Sequence, residues 1–89
     1  MVSKETKIVN KEGFHMRPAN NFIREMAKFK SAVTFDVAGK EVNAKSIMNI
    51  MAACIKCGTV LTVKADGEDE QAALDKAVEL IESGLGDPE

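Results

Sequence analysis

The sequence predicts an α+β fold, an open-faced sandwich in which a small sheet carries its helices on one face. Three observations lead there. At 89 residues the chain has room for one core only. Its apolar residues change spacing repeatedly, giving the element order β-α-β-β-α-β-α. The two middle strands read as a hairpin flanked by helices, and in so short a chain that hairpin must find its cover on one side.

The elements follow in order. Residues 3–9, "SKETKIV", are β-prone and partly alternating, and "NKEG" reads as a loop. From Pro18, apolar residues fall at Ala19, Phe22, Ile23, Met26 and Ala27, which is helical spacing. Pro18 suits the first turn of that helix, where a missing N–H costs nothing. In "SAVTFDVAGKEVNA", Val33, Phe35 and Val37 alternate with polar residues, "AGK" supplies a turn, and a short strand follows around Val42. Ser46 resembles an N-cap for a short helix carrying Ile47, Met48, Ile50 and Met51, which Gly58 breaks. "TVLTVKA" is rich in Val and Thr and reads as a strand. Asp69 then caps a last helix with Ala73, Leu74, Ala77, Val78 and Ile81 on its apolar face and Gly84 as its stop. The acidic residues Asp66, Glu68, Asp69 and Glu70 suit the positive end of that helix.

Composition excludes several functions. A hydrophobic share of 45% argues against disorder. The net charge is −2 with no basic run, which disfavours nucleic-acid binding. The N-terminus has no apolar signal region, and "IMNIMAACI" is too short to span a bilayer, so a cytoplasmic protein without membrane insertion is expected. Nothing calls for an oligomer; a monomer is expected. Four phenylalanines, Phe14, Phe22, Phe29 and Phe35, are the only large rings available to the core.

The chain's single histidine lies in "KEGFHMRPAN". If the first helix begins near Met16, His15 takes the N-cap position. The amides of Met16 and Arg17 then lack intrahelical acceptors at the positive end of the helix dipole, a ready anion site. Arg17 adds a fixed charge with a planar fork suited to phosphate oxygens. His15 adds a nucleophile that is largely neutral at physiological pH. Gly13 gives the loop freedom to bend. On spacing alone, a capping histidine beside a surface arginine explains the same residues equally well.

"GFHMRPA" resembles the active-site signature of the HPr family, the histidine-containing phosphocarriers of the phosphoenolpyruvate-dependent sugar phosphotransferase system. "AKSIMNIM" is similar to that family's regulatory-serine region, and "GEDEQAALDKAVELI" to its last helix. The resemblance runs from about residue 2 to 86. It implies a four-stranded antiparallel sheet with three helices on one face. It also implies a stoichiometric carrier, not an enzyme, with no cofactor and no metal. His15 would accept a phosphoryl group at Nδ1 from phospho-enzyme I and donate it to IIA domains of sugar transporters. Arg17 would neutralise the phosphate, and the Met16 and Arg17 amides would hold its oxygens. Ser46 would be the target of an HPr kinase/phosphorylase, and Ile47, Met48 and Met51 would form a docking patch, with Arg24 as a basic contact or simply a solvated charge.

Three positions depart from the family pattern: Glu12 brings a carboxylate near His15, Ala27 replaces a frequent lysine, and Cys54 stands where glycine is expected. A nitrogen-branch or mainly regulatory paralogue is the alternative within the family. The motif "CIKC" also admits a redox or metal reading, but the pair falls near a helix end, so inert, buried, reduced thiols are expected.

Overall fold

A computed structural model of the chain describes residues 1–9, 13–14 and 16–84. The elements are β1 (Val2–Lys7), α1 (Met16–Met26), β2 (Ala32–Val37), β3 (Lys40–Asn43), α2 (Ile47–Ala52), β4 (Val60–Asp66) and α3 (Glu70–Glu82). The strands form one antiparallel sheet in the order β1-β4-β2-β3. The expected order and class are therefore the observed ones.

The Val- and Thr-rich strand β4 occupies an interior position, paired with β1 on one side and β2 on the other. Its burial alternates, with Leu61, Val63 and Ala65 facing the helices. Val33, Phe35 and Val42 continue that apolar face across the sheet. The helices answer with Ala19, Phe22 and Met26 from α1, Ile50 from α2, and Ala73, Leu74, Ala77, Val78 and Ile81 from α3. On the opposite face of the sheet, Lys64 pairs with Asp36 at 3.8 Å in solvent. The β2–β3 turn is the two-residue type with both φ angles positive, Ala38 at 53° and Gly39 at 85°.

Several boundaries differ from expectation for local reasons. The first strand is Val2–Lys7, yet Ile8 stays fixed, donating its amide to Thr59 and accepting from Gly58. Helix α2 ends at Ala52, well before Gly58. The residue that turns the chain out of α2 is Cys54, at φ 52°. This is the left-handed position past a helix end that usually takes glycine. Asp69 does stand at the N-cap of α3, but its side chain makes no cap bond. It reaches instead to the turn between α1 and β2. There it accepts from the amides of Lys30 and Ser31, each at 2.9 Å, and from the Ser31 hydroxyl. Ser31 is buried, so this carboxylate satisfies polar groups that water cannot reach.

Candidate functional site

Helix α1 starts at Met16, so position 15 immediately precedes it in the chain, as the sequence predicts. His15 itself and the neighbouring Glu12 lie outside the described residues. Pro18 is buried in the first turn, that turn contains no acidic residue, and Arg17 is exposed there.

Upstream, the chain is pinned by its own backbone. Phe14 donates its amide to the Ile55 carbonyl at 3.0 Å. Its ring stacks into an aromatic triad, 5.4 Å from Phe22 in an edge-on arrangement and 5.5 Å from Phe35. Phe29, the fourth ring, is half-buried and stands outside this triad. Gly13 has φ 66°, and a Cβ there would collide with the Ile55 carbonyl oxygen and lie 2.7 Å from Lys56 Cα. Glycine is thus required by close backbone approach, a stronger reason than the loop freedom inferred from sequence. Gly13 and Phe14, the two residues just before position 15, are anchored to the Ile55–Lys56 backbone.

Beside the start of α1 lies a shallow groove of about 350 Å³ lined by Met16, Asn20, Ile47, Met48 and Met51. Met48 is 78% exposed and Met16 60%, whereas Ile47 and Met51 are half-buried against the core. Ile50 points inward and is fully buried. The predicted patch residues therefore lie together. Sequence reasoning missed Met16 and Asn20, to which it gave no surface role. Their i, i+4 spacing, off the Ala19–Phe22–Met26 stripe, was the available signal. Arg24 is exposed two turns beyond Arg17 on nearly the same face of α1, about 10 Å along the axis.

Ser46 caps α2 as expected. Its Oγ accepts the Asn49 amide at 3.3 Å and the Asn49 side-chain amide at 3.0 Å. The cap directly adjoins Ile47 and the groove. Lys45, one residue earlier, extends the other way and donates to the Phe29 carbonyl at 2.7 Å, closing the end of the α1 turn.

The thiols differ from expectation in one respect. Cys54 and Cys57 are both free, as read from the sequence, but both are exposed rather than buried. Among the described residues, no group of three or more His, Cys, Asp or Glu is placed to hold a metal. Among the same residues, no helix is long and apolar enough to cross a membrane.

Residues 2–83 match the family model described as the PTS HPr component phosphorylation site. The chain belongs to the HPr family. Phosphocarrier protein HPr of Haemophilus influenzae is 42% identical over 81 residues, covering 91% of this chain and 95% of that protein. A solved structure of HPr from Thermoanaerobacter tengcongensis superposes with a TM-score of 0.94 at 40% identity, covering 100% of both chains. The catabolite-repression protein Crh of Bacillus subtilis, described as an intertwined dimer with a swapped domain, superposes with a TM-score of 0.76. It is 40% identical, covering 94% of this chain and 97% of that one. An HPr-family chain is a phosphocarrier-type module of the phosphotransferase system, and its open sheet with three helices is the fold described above.

Proposed function

We propose that this HPr-family protein is a stoichiometric cytoplasmic phosphocarrier that takes a phosphoryl group on His15 from phospho-enzyme I and passes it to IIA domains of sugar transporters. The observation that carries the reading is the fixed frame around position 15. Phe14 is bonded and stacked on one side, and an acid-free helix N-terminus with buried Pro18 begins on the other. Imidazole Nδ1 attacks phosphorus, the donor histidine leaves, and the bound group remains reactive as a phosphoramidate. The chain's part is positioning and charge. The Met16 and Arg17 amides receive phosphate oxygens, and the Arg17 guanidinium offsets their charge. No cofactor or metal takes part.

Ile47, Met48 and Met51, joined by Met16, form the apolar contact for both partners, and Arg24 is a basic contact beside it. Methionine side chains adapt to more than one surface, which suits a carrier that must dock on a donor and on several acceptors. Ser46 is a regulatory site for an HPr kinase/phosphorylase. A phosphate there would sit on the N-terminus of α2, next to Ile47 and the groove. It would bring negative charge to the docking face and slow transfer.

The relationship to Crh supports a second reading, a mainly regulatory paralogue acting through Ser46. That relative's intertwined dimer also bears on the monomer expected here. Light scattering on the free protein decides that point, a mass of two chains overturning it.

Incubation with labelled phosphoenolpyruvate and enzyme I separates the readings. The carrier gains an acid-labile, base-stable phosphate that His15→Ala cannot acquire, whereas the regulatory paralogue gains only an acid-stable phosphate from ATP and the kinase, lost in Ser46→Ala. Label persisting in His15→Ala would refute the carrier assignment.

A further inference from the structure

The phosphocarrier reading leaves Cys54 and Cys57 without a role, and their placement gives them one. Both thiols are exposed. The two residues between them, Ile55 and Lys56, are the ones against which the Gly13–Phe14 segment is packed. We propose that Cys54 and Cys57 are an oxidant-responsive thiol pair whose intrachain disulfide loosens the anchor of the segment preceding α1.

At present the sulfurs are turned to different neighbours. Cys54 Sγ lies 3.8 Å from the Met51 carbonyl, and Cys57 Sγ lies 3.9 Å from the Val9 carbonyl. A disulfide needs its sulfurs about 2 Å apart and its Cα atoms within roughly 7 Å, so both side chains must swing off these carbonyls, and any rotation of the intervening backbone falls on Ile55 and Lys56. Two intervening residues are few enough for that rotation to be local. Cys54 also starts from a left-handed φ of 52°, unfavourable for a residue with a Cβ, and rotation can relieve it. The cost falls on Ile55, whose side chain is buried and whose carbonyl holds the Phe14 amide. The closed form is therefore strained and easily reduced. That is the behaviour of a labile, regulatory disulfide rather than a structural one.

The chemistry balances with a peroxide as oxidant. One thiolate attacks a peroxide oxygen, giving a sulfenic acid and expelling hydroxide, which is protonated to water. The second thiol displaces the sulfenic hydroxyl as a second water, and the S–S bond forms. The two sulfurs together lose two electrons and two protons, and one hydrogen peroxide becomes two waters. A dithiol reductant reverses the step by exchange. In a reducing compartment the pair rests as thiols and closes only under oxidant, as redox-sensing disulfides do.

Disulfide closure and its effect on Phe14 do not require His15 to carry phosphate, so the test does not use phosphoryl transfer. The full chain is treated with stoichiometric hydrogen peroxide and examined by intact mass, thiol titration and amide hydrogen exchange, with Cys54→Ser and Cys57→Ser alongside. The expected product is a monomer lacking two hydrogens and both titratable thiols. In it the Phe14 amide exchanges at least about tenfold faster than in the reduced protein, and dithiothreitol restores its protection. Neither serine variant should show that gain in exchange. Sulfinic acids or disulfide-linked dimers in place of the intrachain bond overturn the proposal. So does an intrachain bond that leaves Phe14 protection unchanged.

Discussion

The Phe14 amide and the Ile55 carbonyl, 41 positions apart in the chain, meet at 3.0 Å and join the approach to α1 to the exit from α2. The two segments that frame the proposed chemistry, one before position 15 and one after α2, thus form a single mechanical unit. Gly13 makes the contact possible, because any Cβ at that position runs into the Ile55–Lys56 backbone.

Gly13→Ala should therefore be costly in two ways. It forces a left-handed φ on alanine and pushes two backbones apart, for a combined loss of about 2–4 kcal/mol in urea unfolding. Phosphoryl acceptance by His15 should fall along with it, because Phe14 can no longer seat. A Gly39→Ala control, whose Cβ would meet nothing within 4 Å, should lose less stability and leave acceptance intact.

At the end of α2 the same reasoning runs in reverse. Cys54 occupies a left-handed position with a side chain that is exposed and contributes little packing. Cys54→Gly removes the Cβ penalty and should raise stability by about 1 kcal/mol when measured in reductant. A denaturation midpoint at or below that of the unsubstituted protein would show that the turn is not strained.

The acid limb of stability should bear the mark of Asp69. The Ser31 hydroxyl, then the Lys30 amide, and also the Ser31 amide, hold its carboxyl at about 2, below the ordinary 3.8. A carboxyl depressed by folding contributes its full stabilisation above its unfolded value and loses it as the pH falls through the folded one. Stability should thus decline between about pH 4 and pH 2 on this account. Glu70 adds to the same slope, its carboxyl lowered by the Gly67 amide and then by the N-terminal ammonium, 3.2 Å away. Asp69→Asn should flatten that decline while lowering stability at neutral pH. An unaltered acid profile in the variant would mean that the Ser31 contact does not form in solution.

These features show where the sequence is readable. The helix faces and the β4 strand could be read directly because their signals are local, 3.6-fold or twofold spacing within one element. Ser46 was legible for the same reason, its capping partner lying three residues on. Asp69 is the N-cap residue of α3 that the sequence indicates, but its side chain bonds elsewhere. Its actual partners are 38 and 39 residues away, a distance that no local pattern encodes. The end of α2 was hidden because Cys54 takes a glycine's conformation without being glycine. Gly13 was legible as a bend, which its φ of 66° bears out, but not as a point of close backbone approach, since the backbone it touches belongs to another part of the chain. Met16 was assigned only through its amide, because whether its side chain joins Ile47, Met48 and Met51 depends on how α1 lies against α2.

Docking and stability should separate cleanly at Met48. Its side chain is 78% exposed, so truncation removes little that the free protein buries, and Met48→Ala should change unfolding free energy by less than about 0.5 kcal/mol. In a complex the same side chain would be covered, and the loss there is that of a partly buried apolar contact, about 1 kcal/mol or somewhat more. The expected outcome is a KM for enzyme I raised about fivefold to tenfold with the maximal rate of His15 phosphorylation nearly unchanged. Arg17→Ala should do the opposite, lowering the maximal rate about tenfold to a hundredfold while altering KM less, because the role proposed for its charge is on the transferring phosphate. Ile50→Ala is the control for nonspecific damage: Ile50 is fully buried, so it should cost about 2–4 kcal/mol of stability. Should Met48→Ala leave KM unchanged for both enzyme I and a IIA domain, the groove beside α1 is not where the partners bind.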